Sequence, residues 1–561
     1  MKRRDVLKAL PIGAMAAAAP FAFGGFAGRV FAQNPLLSTL LNAQSLDGKS
    51  IVIINLQGGN DGINTVIPYT DPLYYKNRPR VGWSGTDQTI QSLLKSYELG
   101  TSGMAMNPNM DNATPSGNAS FWKLWGEGKI AVLQNVGYAD PNLSHFRSTD
   151  IWNQATDSEV VLSTGWVGRY LQNLDPNYPT DVQPGSDPLG IQIFPSLSPV
   201  FQGTSIEMGL AVTDPSKYDA AASYADPTPT TTNAGYELNF VRQTLIQSDI
   251  FGARFKTLFP KTPKDKYAYN MSNPLAVQLQ KVGWCIAAGM TTKIYFVNIG
   301  SFDTHVNQTS NMTGATSGQG LLLNWLAEAI STFQANMEDA KVDQNVIGMT
   351  YSEFGRRVDD NASFGTDHGT AAPMFVFGSG VNGGLYGANP GLDTTDRSMT
   401  DIYGNLLWKF DFRQVYASIL GDWFGLAPAM RKAILQPNNQ SDPEKFAFQF
   451  PLNGSAKTQS LFTNPLAVGQ SPAPTNFVLY QNSPNPFNGM TTIKFALAQA
   501  APTTLEIFDV RGSLLATPIS AHLSAGEHQA SFEASQLPSG TYFYRLEVGG
   551  NIQTKRMQLV R

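Results

Sequence analysis

Three apolar runs in this chain each stop at a polar turn, and that repetition narrows the folds open to it. Residues 51–56 read Ile-Val-Ile-Ile-Asn-Leu and break at Gln57-Gly-Gly-Asn-Asp-Gly62. Lys293-Ile-Tyr-Phe-Val-Asn-Ile299 ends at Gly300-Ser-Phe-Asp-Thr-His305, and Asn345-Val-Ile-Gly-Met-Thr350 ends at Tyr351-Ser-Glu-Phe-Gly-Arg356. Such unbroken runs suit strands buried on both faces of a parallel sheet. Helical patterns lie between them. From Leu321 to Met337, apolar side chains recur at Leu322, Trp325, Leu326, Ile330 and Phe333. The alternation predicts an α/β domain with a mostly parallel sheet sandwiched by helices. Polar loops then gather at the carboxyl ends of the strands, where such sheets place their sites.

The pattern changes near the C-terminus. Asn464–Thr475, with Gln470-Ser-Pro-Ala-Pro-Thr475, reads as an interdomain linker. Residues 213–236 are also rich in Pro, Thr, Asp and Ala, and read as a surface excursion or lid. Beyond the linker, period-2 runs appear at Thr491-Thr-Ile-Lys-Phe-Ala496, Thr504-Leu-Glu-Ile-Phe-Asp-Val510 and Thr541-Tyr-Phe-Tyr-Arg-Leu-Glu-Val548. Turns at Arg511-Gly512, Pro538-Ser-Gly540 and Gly549-Gly550 separate them, which predicts a small all-β, immunoglobulin-like sandwich over 476–561. Asn482-Ser-Pro-Asn-Pro-Phe-Asn488, Asp509-Val-Arg-Gly-Ser513 and Leu537-Pro-Ser-Gly-Thr-Tyr-Phe-Tyr544 resemble the type A C-terminal sorting domain of type IX secretion. That resemblance implies the type IX machinery as a partner and the cell surface or medium as the destination.

The other end carries a second address. Lys2-Arg-Arg-Asp-Val-Leu-Lys8 precedes a mildly apolar stretch from Ala9 to about Phe26, and Val30-Phe31-Ala32 offers small residues for cleavage after Ala32. Paired Arg3-Arg4 and the modest hydrophobicity resemble a twin-arginine signal over 1–32, implying the twin-arginine translocase as a partner. Val6 departs from that pattern. Pro11, Pro20 and several glycines interrupt the run, so no stable membrane span is expected. Only 15% of residues are charged, which suits an exported protein. No basic cluster lies beyond the first eight residues, which argues against nucleic acid as a partner. Cys285 is the sole cysteine, so no internal disulfide forms, and in its apolar helical setting it reads as a buried small hydrophobe.

Histidine is scarce, which makes each one informative. His522 and His528 fall in the tail. His145 lies in Leu143-Ser-His-Phe-Arg-Ser-Thr-Asp150, His305 in Phe302-Asp-Thr-His305, and His368 in Gly365-Thr-Asp-His-Gly-Thr370. Carboxylates and imidazoles brought from several strand ends meet the needs of a divalent metal: oxygen for charge, nitrogen for affinity and geometry. Asp61, Asp303, His305, Glu353, Asp367 and His368 are the candidate ligands, for Zn, Mn, Mg or Ca.

The order of these segments resembles the domain-of-unknown-function 1501 family. Asn55-Leu-Gln-Gly-Gly-Asn-Asp-Gly62, Asp71-Pro-Leu-Tyr-Tyr75, Arg78-Pro79, Ser144-His-Phe-Arg-Ser-Thr-Asp-Ile-Trp152, Gly165-Trp-Val-Gly-Arg-Tyr170, Phe302-Asp-Thr-His305, Ser352-Glu-Phe-Gly-Arg356 and Gly365-Thr-Asp-His-Gly-Thr370 carry the likeness. It spans about 45–430, within an expected domain of 33–463. The family is similar to the alkaline phosphatase and sulfatase superfamily. This implies an alkaline-phosphatase-like α/β fold, one or two divalent metals, and hydrolysis of phosphate or sulfate esters of a small molecule or polymer. Asp61 matches the acidic ligand after the first strand, Asp303 and His305 a middle pair, and His368 the last histidine. Where the superfamily has Asp-His on a later strand this chain has Ser352-Glu353, so Glu353 takes the acidic place and the histidine is missing. Ser144, at an expected helix N-cap, is the candidate nucleophile, with Thr65 its rival. Arg147, Arg356 and Arg357 are candidates to hold the transferring group's oxygens. No Cys-x-Pro-x-Arg appears, which disfavours a formylglycine sulfatase. The alternative is a non-catalytic surface or matrix protein that keeps the fold, with or without a structural metal.

Overall fold

The computed structural model describes residues 48–560, apart from 84–87, 112–119, 219–249, 436–449, 452–457, 463–476 and a few short stretches elsewhere. The expected signal at 1–32, the linker at 464–475 and most of the 213–236 excursion lie outside the described residues. The chain divides into two compact units, residues 1–466 and 467–561.

The first unit is built on a nine-stranded sheet. Its strands are β1 (Ser50–Leu56), β2 (Ile130–Gly137), β3 (Gly190–Gln192), β4 (Leu210–Ala211), β5 (Ile294–Ile299), β6 (Val346–Tyr351), β9 (Ala372–Phe377), β10 (Gly384–Tyr386) and β11 (Phe410–Asp411). The hairpin strands β7 (Arg356–Asp360) and β8 (Thr366–His368) stand apart as a two-stranded ribbon. The sheet order is β10-β2-β9-β6-β1-β5-β3-β4, with β11 also on β2. β1 lies at the centre, parallel to β5 and β6, with Ile51 beside Ile294 and Ile347. Every residue of β1 is buried, as its unbroken apolar run requires.

Of the nine strands, β9 alone opposes the others, pairing antiparallel with both β6 and β2. It follows β6 through the β7–β8 ribbon rather than a crossover helix, so the chain returns reversed. Between the strands lie α1 (His145–Gln154), α2 (Pro274–Ala287) and α3 (Gly318–Asp339). α2 starts sharply: Asn273 accepts from the Leu275 and Ala276 amides at 3.0 and 3.3 Å, and proline fills the first turn. Cys285 is buried on α2, and burial pushes its thiol pKa well above the ordinary cysteine value. Among the described residues no helix is long and apolar enough to cross a membrane.

The second unit is all β. Phe477–Leu479, Met490–Leu497 and Gly526–Glu533 form one antiparallel sheet. Leu514–Leu523, Ala501–Phe508, Gly540–Val548 and Asn551–Leu559 form the other. One core, including Ile493, Phe495, Leu505, Ile507, Tyr544 and Leu559, joins the two sheets.

Candidate metal centre

The polar breaks after β1, β5 and β6 meet at the carboxyl ends of three adjacent strands. Tight backbone packing brings them together. Gly58 has φ +121°, and a Cβ there would stand 2.3 Å from the Asp303 amide nitrogen. Gly59 has φ +83°, and its Cβ would stand 2.4 Å from the Phe354 ring. Only glycine permits this approach of the β1 loop to the β5 and β6 loops.

Asp303 lies at the middle of the cluster. Its Oδ1 accepts from Arg356 Nη2 at 2.7 Å and stands 3.1 Å from His305 Nε2 and from His368 Nε2. Its Oδ2 is 3.5 Å from His145 Nε2. The two imidazoles of His305 and His368 approach each other at 3.0 Å through Nε2. The far nitrogen of each ring faces an acceptor: His145 Nδ1 the Glu353 carboxylate at 2.8 Å, His368 Nδ1 the Leu143 carbonyl at 3.0 Å, and His305 Nδ1 Asp367 at 3.4 Å. A neutral ring that donates through Nδ1 presents a bare Nε2 lone pair. With the protons so placed, the three Nε2 atoms gathered about Asp303 would all be bare.

That arrangement suits a cation. Bare nitrogens 3.0 Å apart repel unless positive charge lies among them. Two ligands at a typical zinc distance and a tetrahedral angle stand about 3.3 Å apart, against 3.0, 3.1, 3.1 and 3.5 Å here. A second shell of acceptors on the outer ring nitrogens is the usual companion of metal-bound imidazole. His145, Asp303 and His368 can each offer an atom within 4.8 Å of the others.

The electrostatics agree. Partial burial opposes charge on Asp303, but the hydrogen bond and charge of Arg356 and the nearby His368 and His305 rings hold its pKa at about 2. Burial pulls His368 below the ordinary histidine value, against the opposing hold of Asp303. Burial also raises Asp367, and the hydrogen bonds of Asn361 and His305 outweigh it and bring the pKa down.

Asp61 and Glu353 are engaged elsewhere. Asp61 is fully buried; its Oδ2 takes a 2.5 Å ion pair from Arg78 and a 2.5 Å hydrogen bond from Gln308. Its Oδ1 caps the Ile63 amide at 3.2 Å. Glu353 Oε1 accepts from the Gly58 amide and from His145, each at 2.8 Å. Glu353 therefore orients the His145 ring. His145 stands in the cluster without being among the candidate ligands read from the sequence, because it opens a helix instead of ending a strand. The scarcity of histidine is the signal that marks it.

The arginines are largely spent. Arg356 is buried and donates to the Gly58, Gly59, Phe302 and Thr366 carbonyls as well as to Asp303. Arg147 reaches away, to the Ser158 and Val160 carbonyls at 2.7 Å. Arg357 lies further out, its charge acting on Asp367, and its buried Nε has no hydrogen-bond partner. Of the two hydroxyls, Thr65 is buried and donates to the Asp61 carbonyl at 2.8 Å. Ser144 is exposed, caps α1 without a side-chain hydrogen bond, and sits between Leu143 and His145, both of which touch the cluster.

Comparison with known proteins adds the following. The family described as "Protein of unknown function (DUF1501)" matches residues 266–436. The secretion system C-terminal sorting domain matches residues 483–560. No curated protein matches the chain. Among solved structures, the lipoteichoic acid synthase LtaP from Listeria monocytogenes is 8% identical, covering 63% of this chain and 73% of that one with a TM-score of 0.26. The PsFucS1 sulfatase from Pseudoalteromonas sp. is 9% identical, with 89% and 88% covered and a TM-score of 0.28. A Bacteroides thetaiotaomicron protein of glycosaminoglycan metabolism is 9% identical, with 84% and 89% covered and a TM-score of 0.29. The chain therefore carries a domain of the DUF1501 family and, behind it, a sorting domain that sends it to the cell surface or the medium.

Proposed function

We propose that this secreted protein is a metal-dependent hydrolase of phosphate or sulfate esters. The observation that carries the reading is the convergence of three imidazole Nε2 atoms on Asp303, each ring turned by an acceptor behind it. His145, His305, His368 and Asp303 are the ligands; Glu353, Leu143 and Asp367 set the tautomers. A nitrogen-rich set of this kind favours zinc or another transition ion over magnesium or calcium. Bound there, the ion supplies a Lewis acid for an ester oxygen and lowers the pKa of a coordinated water or hydroxyl.

The protein supplies the rest. Ser144 is the candidate nucleophile: it is exposed, at a helix start beside two cluster residues, whereas Thr65 is buried and hydrogen-bonded. Arg356 fixes Asp303 from below. Transport through the twin-arginine translocase belongs to the same reading, because that route carries folded, metal-loaded proteins. A non-catalytic surface protein with a structural metal is the second reading, favoured by the engagement of Arg147 and Arg356 with backbone carbonyls. Purified protein, loaded in turn with Zn, Mn, Mg and Ca, is assayed on aryl phosphate and aryl sulfate. Turnover with zinc or manganese that chelator abolishes is expected. Bound metal without turnover of either ester selects the non-catalytic reading.

A further inference from the structure

Large apolar side chains in a folded domain are mostly buried, and those left in water are usually scattered. Three exposed ones in this chain instead adjoin the imidazole cluster. Phe146 is 87% exposed and follows His145 as the second residue of α1. Val306 is 59% exposed and follows His305. Phe364 is 57% exposed and sits in the turn between β7 and β8. The rings of His145 and His305 both lie against that of His368, with centroids 4.5 and 4.7 Å away.

The turn that carries Phe364 is fixed to the His305 loop. Its Ser363 and Phe364 carbonyls accept from the Asn307 and Gln308 amides at 3.1 and 2.8 Å. Asn361 Oδ1 accepts from the Ser363 and Gly365 amides at 2.9 and 3.1 Å, and its Nδ2 donates to the His305 carbonyl at 2.9 Å. A Cβ on Gly365 would stand 2.2 Å from that same carbonyl, so the two loops touch. Phe364 has φ +60°. Glycine and asparagine hold this left-handed conformation readily, whereas a bulky ring does not. Two costs therefore meet at one position: a strained backbone and an apolar ring in water. Asparagine would close the same turn with neither. Strain of this kind gathers where a site uses it.

Charge limits what the rings can meet. Asp367 is 49% exposed, and the lowered pKa of its carboxyl keeps it ionised at neutral pH. Asn361 holds it at 3.2 Å from the same turn. A carboxylate there opposes a substrate with negative charge beyond its ester group.

We infer that Phe146, Val306 and Phe364 select the organic part of the substrate, and that the ester carries an aromatic or alkyl group on a single anionic head. The inference rests on the hydrolase reading above and names its class of ester. No bond is made or broken at these side chains. They determine specificity by covering apolar surface of the substrate beside the cluster.

The test is a binding ratio, which needs no turnover. Zinc-loaded full-length protein is titrated calorimetrically with phenylphosphonate against methylphosphonate, and with benzenesulfonate against methanesulfonate. Covering about 60 Å² of a phenyl ring is worth about tenfold in affinity. The wild type should therefore prefer one phenyl probe over its methyl partner by about tenfold. In the double variant Phe146→Ser, Phe364→Asn the ratio should fall below about threefold. Phe364→Asn alone should melt no lower than the wild type, because it relieves the strained turn. A wild-type ratio below about threefold, no binding of any probe, or a ratio retained in the double variant overturns the inference. So does sedimentation with phosphatidylethanolamine–phosphatidylglycerol vesicles that the double variant loses, since the rings would then serve a membrane. Phenyl preference without ester turnover leaves this inference standing and removes the hydrolase; turnover without phenyl preference does the reverse.

Discussion

Replacing Glu353 with glutamine separates a residue that orients a ligand from one that is a ligand. The side chain is 4% exposed, and Oε1 accepts from His145 Nδ1 and from the Gly58 amide, each at 2.8 Å. Glutamine keeps an oxygen in that place, and its amide takes the position facing Ser352 Oγ at 3.4 Å. What is lost is charge. A hydrogen bond to a charged group contributes about 1.5–3 kcal/mol and a neutral one about 0.5–1.5. The exchange therefore removes about 1–1.5 kcal/mol of the hold on His145, or about tenfold in an equilibrium constant. Changes behind a metal-bound histidine typically cost about 10–100-fold in affinity, which brackets this figure. The fold should persist, because Ser148 and Trp152 bond to the Glu353 backbone carbonyl, which the substitution leaves alone. The assay is zinc competition against a chromogenic chelator, with a thermal melt on the same samples. Loss of zinc binding beyond about a thousandfold would make Glu353 a direct ligand, and unchanged affinity would show that His145 needs no carboxylate behind it. Either result refutes the reasoning.

Other expectations follow from the same geometry. His145→Ala should weaken zinc binding more than Glu353→Gln in the same competition assay, since it removes the donor atom instead of its support. Gly59→Ala combines φ +83° with a Cβ 2.4 Å from Phe354, and should cost at least about 1–3 kcal/mol in urea denaturation. Arg413 is buried and pairs with Asp411 and Asp157, each at 2.6 Å. Arg413→Met leaves the buried Asp411 unpaired and should cost about 3–5 kcal/mol by the same measurement. For the metal-free protein, Asp303 is held at about 2, below its unfolded value. The native state keeps this carboxylate ionised, so its contribution is present above about pH 4 and is lost as pH falls toward 2. The acid limb of a stability–pH curve should flatten in Asp303→Asn.

Much of the fold was legible because it is written in local patterns. The strands at 50–56, 294–299 and 346–351 follow from apolar runs too short for helices and bounded by glycine turns. The helix expected over 321–337 runs from Gly318 to Asp339. The reversed direction of β9 was not legible, because a strand's sequence carries no sign of which way its neighbour runs. The segments of the site were found, since histidine is rare and strand ends are its usual place. The division of labour inside them was not.

By itself the sequence determined the sorting motifs of the C-terminal domain, the alternation that makes an α/β sheet, and the short roster of groups capable of chemistry. These are properties of spacing and residue type. The tertiary structure alone decided which carboxylate faces which cation. Asp61 and Asp303 look alike along the chain, yet one is closed by Arg78 seventeen positions away, while the other faces three imidazoles drawn from a helix start, a strand end and a ribbon. Ionic and hydrogen-bond partnerships are short-ranged in space and indifferent to separation along the chain, so only packing fixes them.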